Sequence, residues 1–303
     1  MRKIIDKTYN SKCRDPFILK HDGKFYHCFT EDQKTVSIAC ANRVEELATA
    51  TAKVVFMPEK NKEYSKDVWA PELHVIDGKS YIYLACDDGE NYHHRMFVLT
   101  NNSKKPLKAE YKMLGKITDD TDRWAIDGTV LNHKGKMYFV WSGWEGDINL
   151  CQHIYIAKMS DPATICSERV LISSPELPWE KFGSTGTLNC PYINEGPFAV
   201  YNGEETYILY SASGSWSEHY CIAALKLVGE DLLNKESWKK LPLPLLSENE
   251  ILKGAGHCSV VEENGEYKVY FHAWDKAEKD ISWNTVALWE GELKFKEGAL
   301  IIE

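Results

Sequence analysis

Three carboxylic acids recur at one place in the pattern of this chain. Asp15, Asp127 and Glu195 each lie eight residues before a glycine that sits in a polar turn and leads into an aromatic-rich stretch, and His257 lies eight before another such glycine. Each acid has Gly or Pro beside it, in Arg14-Asp15-Pro16, Ile126-Asp127-Gly128 and Asn194-Glu195-Gly196-Pro197. Buried carboxylates are costly unless paired or used, so three that return at equivalent positions read as a site. Two such acids facing each other can protonate a leaving oxygen and activate a water, the minimal apparatus for hydrolysing a glycosidic bond. A third negative group nearby disfavours ionisation of the proton donor and keeps it protonated near neutral pH. The plainer alternative is that all three are strand-end residues whose oxygens satisfy turn amides.

The elements that must position these groups are visible in a repeat. The five turns read His21-Asp22-Gly23-Lys24-Phe25-Tyr26, Asp77-Gly78-Lys79-Ser80-Tyr81, Lys134-Gly135-Lys136-Met137-Tyr138, Asn202-Gly203-Glu204-Glu205-Thr206-Tyr207 and Asn264-Gly265-Glu266-Tyr267. Each is a hairpin signal whose turn residues accept positive φ. The glycines at 23, 78, 135, 203 and 265 are 55, 57, 68 and 62 residues apart, so five units consume the 303 residues. A unit of that length suits four antiparallel strands, and strand-only repeats of that size close radially into a β-propeller. Runs such as Tyr81-Ile82-Tyr83-Leu84-Ala85-Cys86 and Met137-Tyr138-Phe139-Val140-Trp141 are β-branched or aromatic and bounded by turns. Helical periodicity is confined to Val44–Ala50. The expectation is an all-β, five-bladed β-propeller forming one domain over residues 1–303, with the four ionisable groups converging at one end of its axis. Blade two carries Ala70 at the shared position, with Glu72 close by.

Composition narrows the partners. The net charge of −9 without a basic run leaves no electrostatic footprint for nucleic acid or an anionic membrane. No stretch approaches the apolar length that spans a bilayer. Ten Trp and sixteen Tyr supply flat faces that suit sugar rings as well as a β core. The nine Cys form an odd set without a Cys-x-x-Cys pair, against a disulfide framework and a structural zinc site. Asp6 and Lys7 interrupt the N-terminus before an apolar leader core forms, which points to a reducing, cytoplasmic location unless a secretion signal has been trimmed from the sequence.

The motifs also resemble glycoside hydrolase family 43, and within it the exo-acting α-L-arabinofuranosidases. The resemblance rests on Arg14-Asp15-Pro16-Phe17, Val68-Trp69-Ala70-Pro71-Glu72-Leu73-His74, His94-Arg95-Met96, Ala125-Ile126-Asp127-Gly128-Thr129, Trp141-Ser142-Gly143, Ile154-Tyr155-Ile156-Ala157, Arg169-Val170-Leu171-Ile172-Ser173, Asn194-Glu195-Gly196-Pro197 and Gly254-Ala255-Gly256-His257, in order along nearly the whole chain. It implies a five-bladed propeller hydrolysing a small oligosaccharide with inversion, Asp15 as general base, Glu195 as general acid and Asp127 as the group that orients the acid and raises its pKa. It implies no cofactor for the chemistry, and an axial ion or water cluster near His257 for which calcium is the usual candidate. Inversion predicts carboxyl groups about 6.5–9.5 Å apart.

Trp69, Trp144 and Trp216 lie beside the motif segments and are the candidates for stacking on sugar, whereas Trp124 reads as packing between blades. Two departures bear on substrate. Cys258 stands where relatives commonly carry an amide, and Asp280–Thr285 lacks an arginine that relatives place after the fifth blade. A β-xylosidase, a relative with endo activity and a non-catalytic carbohydrate-binding propeller are the competing expectations.

Overall fold

In each repeat the aromatic-rich strand sends apolar side chains to both faces, which demands a neighbour on each side. The computed structural model describes residues 1–296 and 299–303 and meets that demand with five blades, the third and fourth joined into one sheet by a short parallel pairing of Cys151 and Gln152 with Tyr192 and Ile193. After β1 (Arg2–Ile5), blade one holds β2 (Phe17–His21), β3 (Lys24–Glu31), β4 (Thr35–Ala41) and β5 (Ala52–Phe56). Blade two holds β6 (Lys66–Ile76), β7 (Lys79–Asp87), β8 (Arg95–Thr100) and β9 (Lys112–Ile117). Blade three holds β10 (Ala125–His133), β11 (Lys136–Gly143), β12 (Cys151–Asp161), β13 (Thr164–Ile165) and β14 (Val170–Ser173). Blade four holds β15 (Tyr192–Asn202), β16 (Glu205–Ala212), β17 (Cys221–Leu227) and β18 (Trp238–Lys240), and blade five β19 (Leu252–Glu263), β20 (Glu266–Asp275), β21 (Ala287–Lys296) and β22 (Ala299–Ile302). Among the described residues helix is limited to short 3-10 turns, one of them at Val44–Ala48.

The core is divided five ways, one apolar cluster between each pair of adjacent blades. Tyr81, Tyr83 and Ala85 of β7 pack toward blade three, while the intervening Ile82, Leu84 and Cys86 pack toward blade one. Phe139 and Trp141 of β11 likewise face blade two, and Tyr138 and Val140 face blade four. A strand buried on both faces has no polar alternation, hence the continuous apolar runs. The fifth cluster joins Tyr270, Trp274 and Leu288 of blade five to Ile18, Phe25 and Phe29 of blade one, so the ring closes. The innermost strands β2, β6, β10, β15 and β19 touch one another in the same cyclic order.

Closure is fastened by the N-terminus. β1 pairs antiparallel with β21 of blade five, Arg2 opposite Glu290 and Ile5 opposite Leu288, so the first strand completes the last blade. Arg2 Nε lies 2.7 Å from Glu290 Oε1, and the fully buried Ile5 enters the cluster between blades five and one. Ile5→Ala therefore loosens the ring at its seam and lowers unfolding free energy by about 2–5 kcal/mol, measured by denaturant titration. A loss confined to a few tenths would mean that β1 is not a fastening element.

Candidate active site

Four of the five innermost strands depart from a regular ladder, and only β2 pairs without a slip. In β6, β10, β15 and β19 the register slips by one residue between Trp69 and Glu72, Ile126 and Thr129, Glu195 and Phe198, and Gly256 and Ser259. The bulged residue has positive φ in each of these four blades, Ala70 40°, Asp127 55°, Gly196 56° and His257 49°, and Asp15, just ahead of β2, has 42°. Such a bulge re-aims the side chain and adds twist. Aspartate tolerates the left-handed region better than most residues, which suits Asp15 and Asp127, whereas Ala70 and His257 hold it at a cost typical of functional positions.

The hairpin register explains why Glu195 also reaches the site. In four blades the turn is a positive-φ pair, Asp22-Gly23, Asp77-Gly78, Lys134-Gly135 and Asn264-Gly265. In blade four Asn202 pairs with Glu205, so the turn is Gly203-Glu204 and its glycine comes first. Counting back from Gly203 therefore lands one residue short of the equivalent position, which is Gly196. Glu195 is instead the counterpart of Arg14, Trp69, Ile126 and Gly256. The eight-residue rule selected it through a compensating shift, a correction to the reading of four equivalent ionisable groups.

The two sets of residues face one cavity of about 340 Å³, lined among others by Arg14, Asp15, Trp69, Ala70, Ile126, Asp127, Glu195 and His257. His257 Nδ1 lies 3.3 Å from Asp15 Oδ1 and 3.9 Å from Asp127 Oδ2. The Gly196 amide donates to Asp127 Oδ2 at 3.1 Å, and the buried Tyr220 hydroxyl donates to Glu195 Oε1 at 2.8 Å. Side-chain exposure is 32% for Asp15 and 5% for Asp127, which leaves the former, but not the latter, open to a solvent water.

Burial and then the Asp127 charge push Glu195 up to about 8. Burial raises Asp127 to about 6, against the His257 charge and the Gly196 amide. Burial alone would lower His257, but Asp15, Asp127, Glu195 and Glu72 outweigh it and hold the imidazole above its ordinary value. His272 goes the other way, lowered by burial to about 4, and its neutral Nδ1 accepts the Asp15 amide at 3.2 Å. Around neutral pH the site thus holds a protonated Glu195 beside an ionised Asp127.

The walls only partly match expectation. Trp69 lines the cavity, stacked on buried His94 at 3.9 Å, and Trp216 lines it with 44% of its surface exposed. Trp144 does not line it: its indole lies behind Trp124, parallel at 4.6 Å, and Trp124 is the one that reaches the cavity. The indoles exchange roles because Trp124 Nε1 is tied to the Asn91 carbonyl at 2.8 Å in the wall. Trp283 also lines the cavity, and Arg14 donates to its carbonyl at 3.0 Å, so blade one brings an arginine to the segment that has none of its own.

Comparison with known proteins identifies the family. The sequence profile of Glycosyl hydrolases family 43 matches residues 8–287. The chain belongs to that family. It is 30% identical over 267 residues to an extracellular exo-α-(1→5)-L-arabinofuranosidase of Streptomyces chartreusis, covering 86% of this chain and 79% of that one. It is 31% identical over 278 residues to an enzyme of the same name from Streptomyces avermitilis, covering 89% of this chain but 56% of the relative. The crystal structure of an α-L-arabinofuranosidase from Lactobacillus brevis superposes with a TM-score of 0.85 at 28% identity, over 99% of this chain and 94% of that one. As a family member the chain is a five-bladed propeller and a glycosidase with a carbohydrate substrate.

An axial calcium ion does not fit the donor set. Among the described residues no three His, Cys, Asp or Glu side chains are grouped to hold a metal. His257 Nδ1 is turned toward two carboxylates, and one imidazole is a poor ligand for a hard cation that prefers a cage of oxygens.

A general acid works only while protonated, so kcat/KM falls as pH rises through about 8. Tyr220→Phe removes a bond that favours the carboxylate and moves that limb to higher pH, whereas Asp127→Asn removes a neighbouring negative charge and moves it lower. pH profiles of the two variants check this, and shifts in one common direction would contradict the assignment.

Proposed function

We propose that the chain is an inverting, exo-acting α-L-arabinofuranosidase that removes terminal arabinofuranosyl residues from arabinan- or arabinoxylan-derived oligosaccharides, working as one catalytic domain over residues 1–303. The observation that carries the reading is that Asp15, Asp127 and Glu195, spread over 180 positions of the chain, line one cavity, in which burial raises Glu195 further than Asp127. The arabinofuranosidase names of the relatives support the sugar. The part-exposed Asp15 takes a proton from water as the oxygen attacks the anomeric carbon. Glu195 gives its proton to the glycosidic oxygen as that bond breaks, leaving a hemiacetal of inverted configuration and a free hydroxyl on the departing sugar. Asp127, held by the Gly196 amide, keeps Glu195 protonated. Trp69 and Trp216 offer stacking faces.

No helix among the described residues is long and apolar enough to cross a membrane. All nine cysteines are free thiols, which suits a reducing compartment and supports a cytoplasmic placement, although the Streptomyces relatives are named extracellular.

Asp15→Ala and Glu195→Ala each lower kcat on arabino-oligosaccharides by about 10²–10⁴-fold while substrate still binds. A p-nitrophenyl glycoside panel shows the arabinofuranoside ahead of the xyloside, and proton NMR of the first-formed sugar shows the inverted anomer. Full turnover in either variant, or a retained anomer, removes the mechanism; a faster xyloside moves the reading to a β-xylosidase. Dialysis against EDTA leaves kcat unchanged, and a loss restored by calcium would return an ion to the axis.

A further inference from the structure

The mechanism leaves unassigned an apolar rim on one side of the cavity. Two loops of blade four build it: the loop leading into β15, which places Leu188, Asn189 and Pro191 on the cavity, and the loop between β16 and β17, which places Ser215 and Trp216 there. Leu188 is 61% exposed and Trp216 44%, an unusual outlay of apolar surface at the mouth of a polar site.

The indole is fixed without a covering side chain. Its Nε1 donates to the Gly183 carbonyl at 2.7 Å, tying one loop to the other. Its ring lies against Gly214 so closely that a Cβ there would come within 2.8 Å of the six-membered ring. The Gly214 amide donates to the Phe182 carbonyl at 2.8 Å, and the Phe182 amide to Ser213 Oγ at 3.2 Å, which knits the loops a second and third time. The Glu180 carboxylate underpins them, fully buried, with Lys240 Nζ at 2.7 Å and the Asn194 amide group at 3.1 Å from Oε1. The rim is therefore pre-organised, and its anchorage runs into Asn194, the residue before Glu195.

Its place follows from the reaction. The proton donor must lie beside the departing oxygen, and the activated water must come from the opposite face of the sugar ring. Glu195 opens blade four and Asp15 leads into blade one, so the blade-four side of the cavity is the leaving-group side. We infer that Trp216, with Leu188 beside it, forms the subsite for the departing portion of the substrate, stacking on the sugar ring next to the scissile bond and so favouring a glycosyl chain over a small leaving group. This assignment rests on the arabinofuranosidase reading.

The test compares kcat/KM for α-1,5-arabinotriose with that for methyl α-L-arabinofuranoside, whose leaving group cannot stack. Trp216→Ala lowers the ratio of the two about tenfold, the worth of one aromatic stack. Trp216→Phe, which keeps a ring but cannot bond Gly183, restores part of it, and Leu188→Ser lowers it by a smaller factor. Using a ratio within each variant removes any general loss of folded enzyme. An unaltered ratio in Trp216→Ala overturns the subsite, whereas a native protein that cleaves neither arabinoside overturns the parent reading instead.

Discussion

The site depends on one backbone constraint, a residue in the left-handed region on the innermost strand of blades two to five and just ahead of it in blade one. Asp15, Ala70, Asp127, Gly196 and His257 all hold it, in five segments far apart in sequence. In a regular strand successive side chains point to opposite faces, and here both faces are filled by neighbouring blades. A bulge is the way for such a strand to turn a side chain out of the inter-blade core and toward the axis. It also lets two consecutive residues serve the cavity, so that Arg14 and Asp15, Trp69 and Ala70, and Ile126 and Asp127 all line it. In blade four the paired positions are Glu195 and Gly196. A Cβ at Gly196 would lie 3.3 Å from the His257 ring, so the side chain withheld there makes room for the imidazole, and the amide left bare binds Asp127.

From that geometry the electrostatics follow. Carboxylates brought this close cannot all ionise, and the most buried members yield first. His257 offsets the repulsion, because its ring lies between Asp15 and Asp127, and the charge it gains comes from their field rather than from solvent. His272, stacked on Tyr220 and also buried, faces Asp15 alone, so burial wins, lowers it to about 4 and leaves its Nδ1 to accept a backbone amide. Two histidines on adjacent strands of one blade thus shift in opposite directions because one looks at two carboxylates and the other at one. The arrangement separates the roles of Glu195 and Asp127, both more than nine-tenths buried, by leaving Tyr220 to orient the first and Gly196 to hold the second.

Much of this was legible in the chain. The five turns located the innermost strands, and the runs quoted for blades two and three lie within β7 and β11. Asp15, Asp127 and His257 were found because a two-residue turn fixes register, and their distance to it is the same in all three blades. Glu195 was found although its turn begins on the glycine, a difference of dihedral angles that residue names conceal. Trp124 and Trp144 could not be told apart, since both precede or follow the same β10–β11 hairpin and only the stacking order decides which faces the cavity. Tyr220 carries no sequence signal, as it sits outside the repeated turns and meets Glu195 across the sheet. Arg14 was read only as a neighbour of Asp15; its contact with Trp283 joins the first blade to the last and exists only once the ring has closed.

The unequal lengths of the repeats carry a further lesson. Inter-blade packing fixes the strands, so surplus residues have to go into loops at the blade ends. The longest interval between turn glycines, 68 residues from Gly135 to Gly203, includes the segment from Ser174 to Pro191 that leads into Glu195. That segment supplies Leu188, Asn189 and Pro191 to the cavity and Glu180 to the buried pair with Lys240. A carboxylate with no exposed surface, meeting one lysine, one tyrosine hydroxyl, one side-chain amide and two backbone amides, is too fully engaged to be a proton donor. Breaking such a pair costs far more than forming it returns, so its value lies in allowing one loop arrangement and no other. The extra length therefore does not loosen the site. It is drawn tight against the strand that carries Glu195, through Asn194 and the buried Glu180–Lys240 pair.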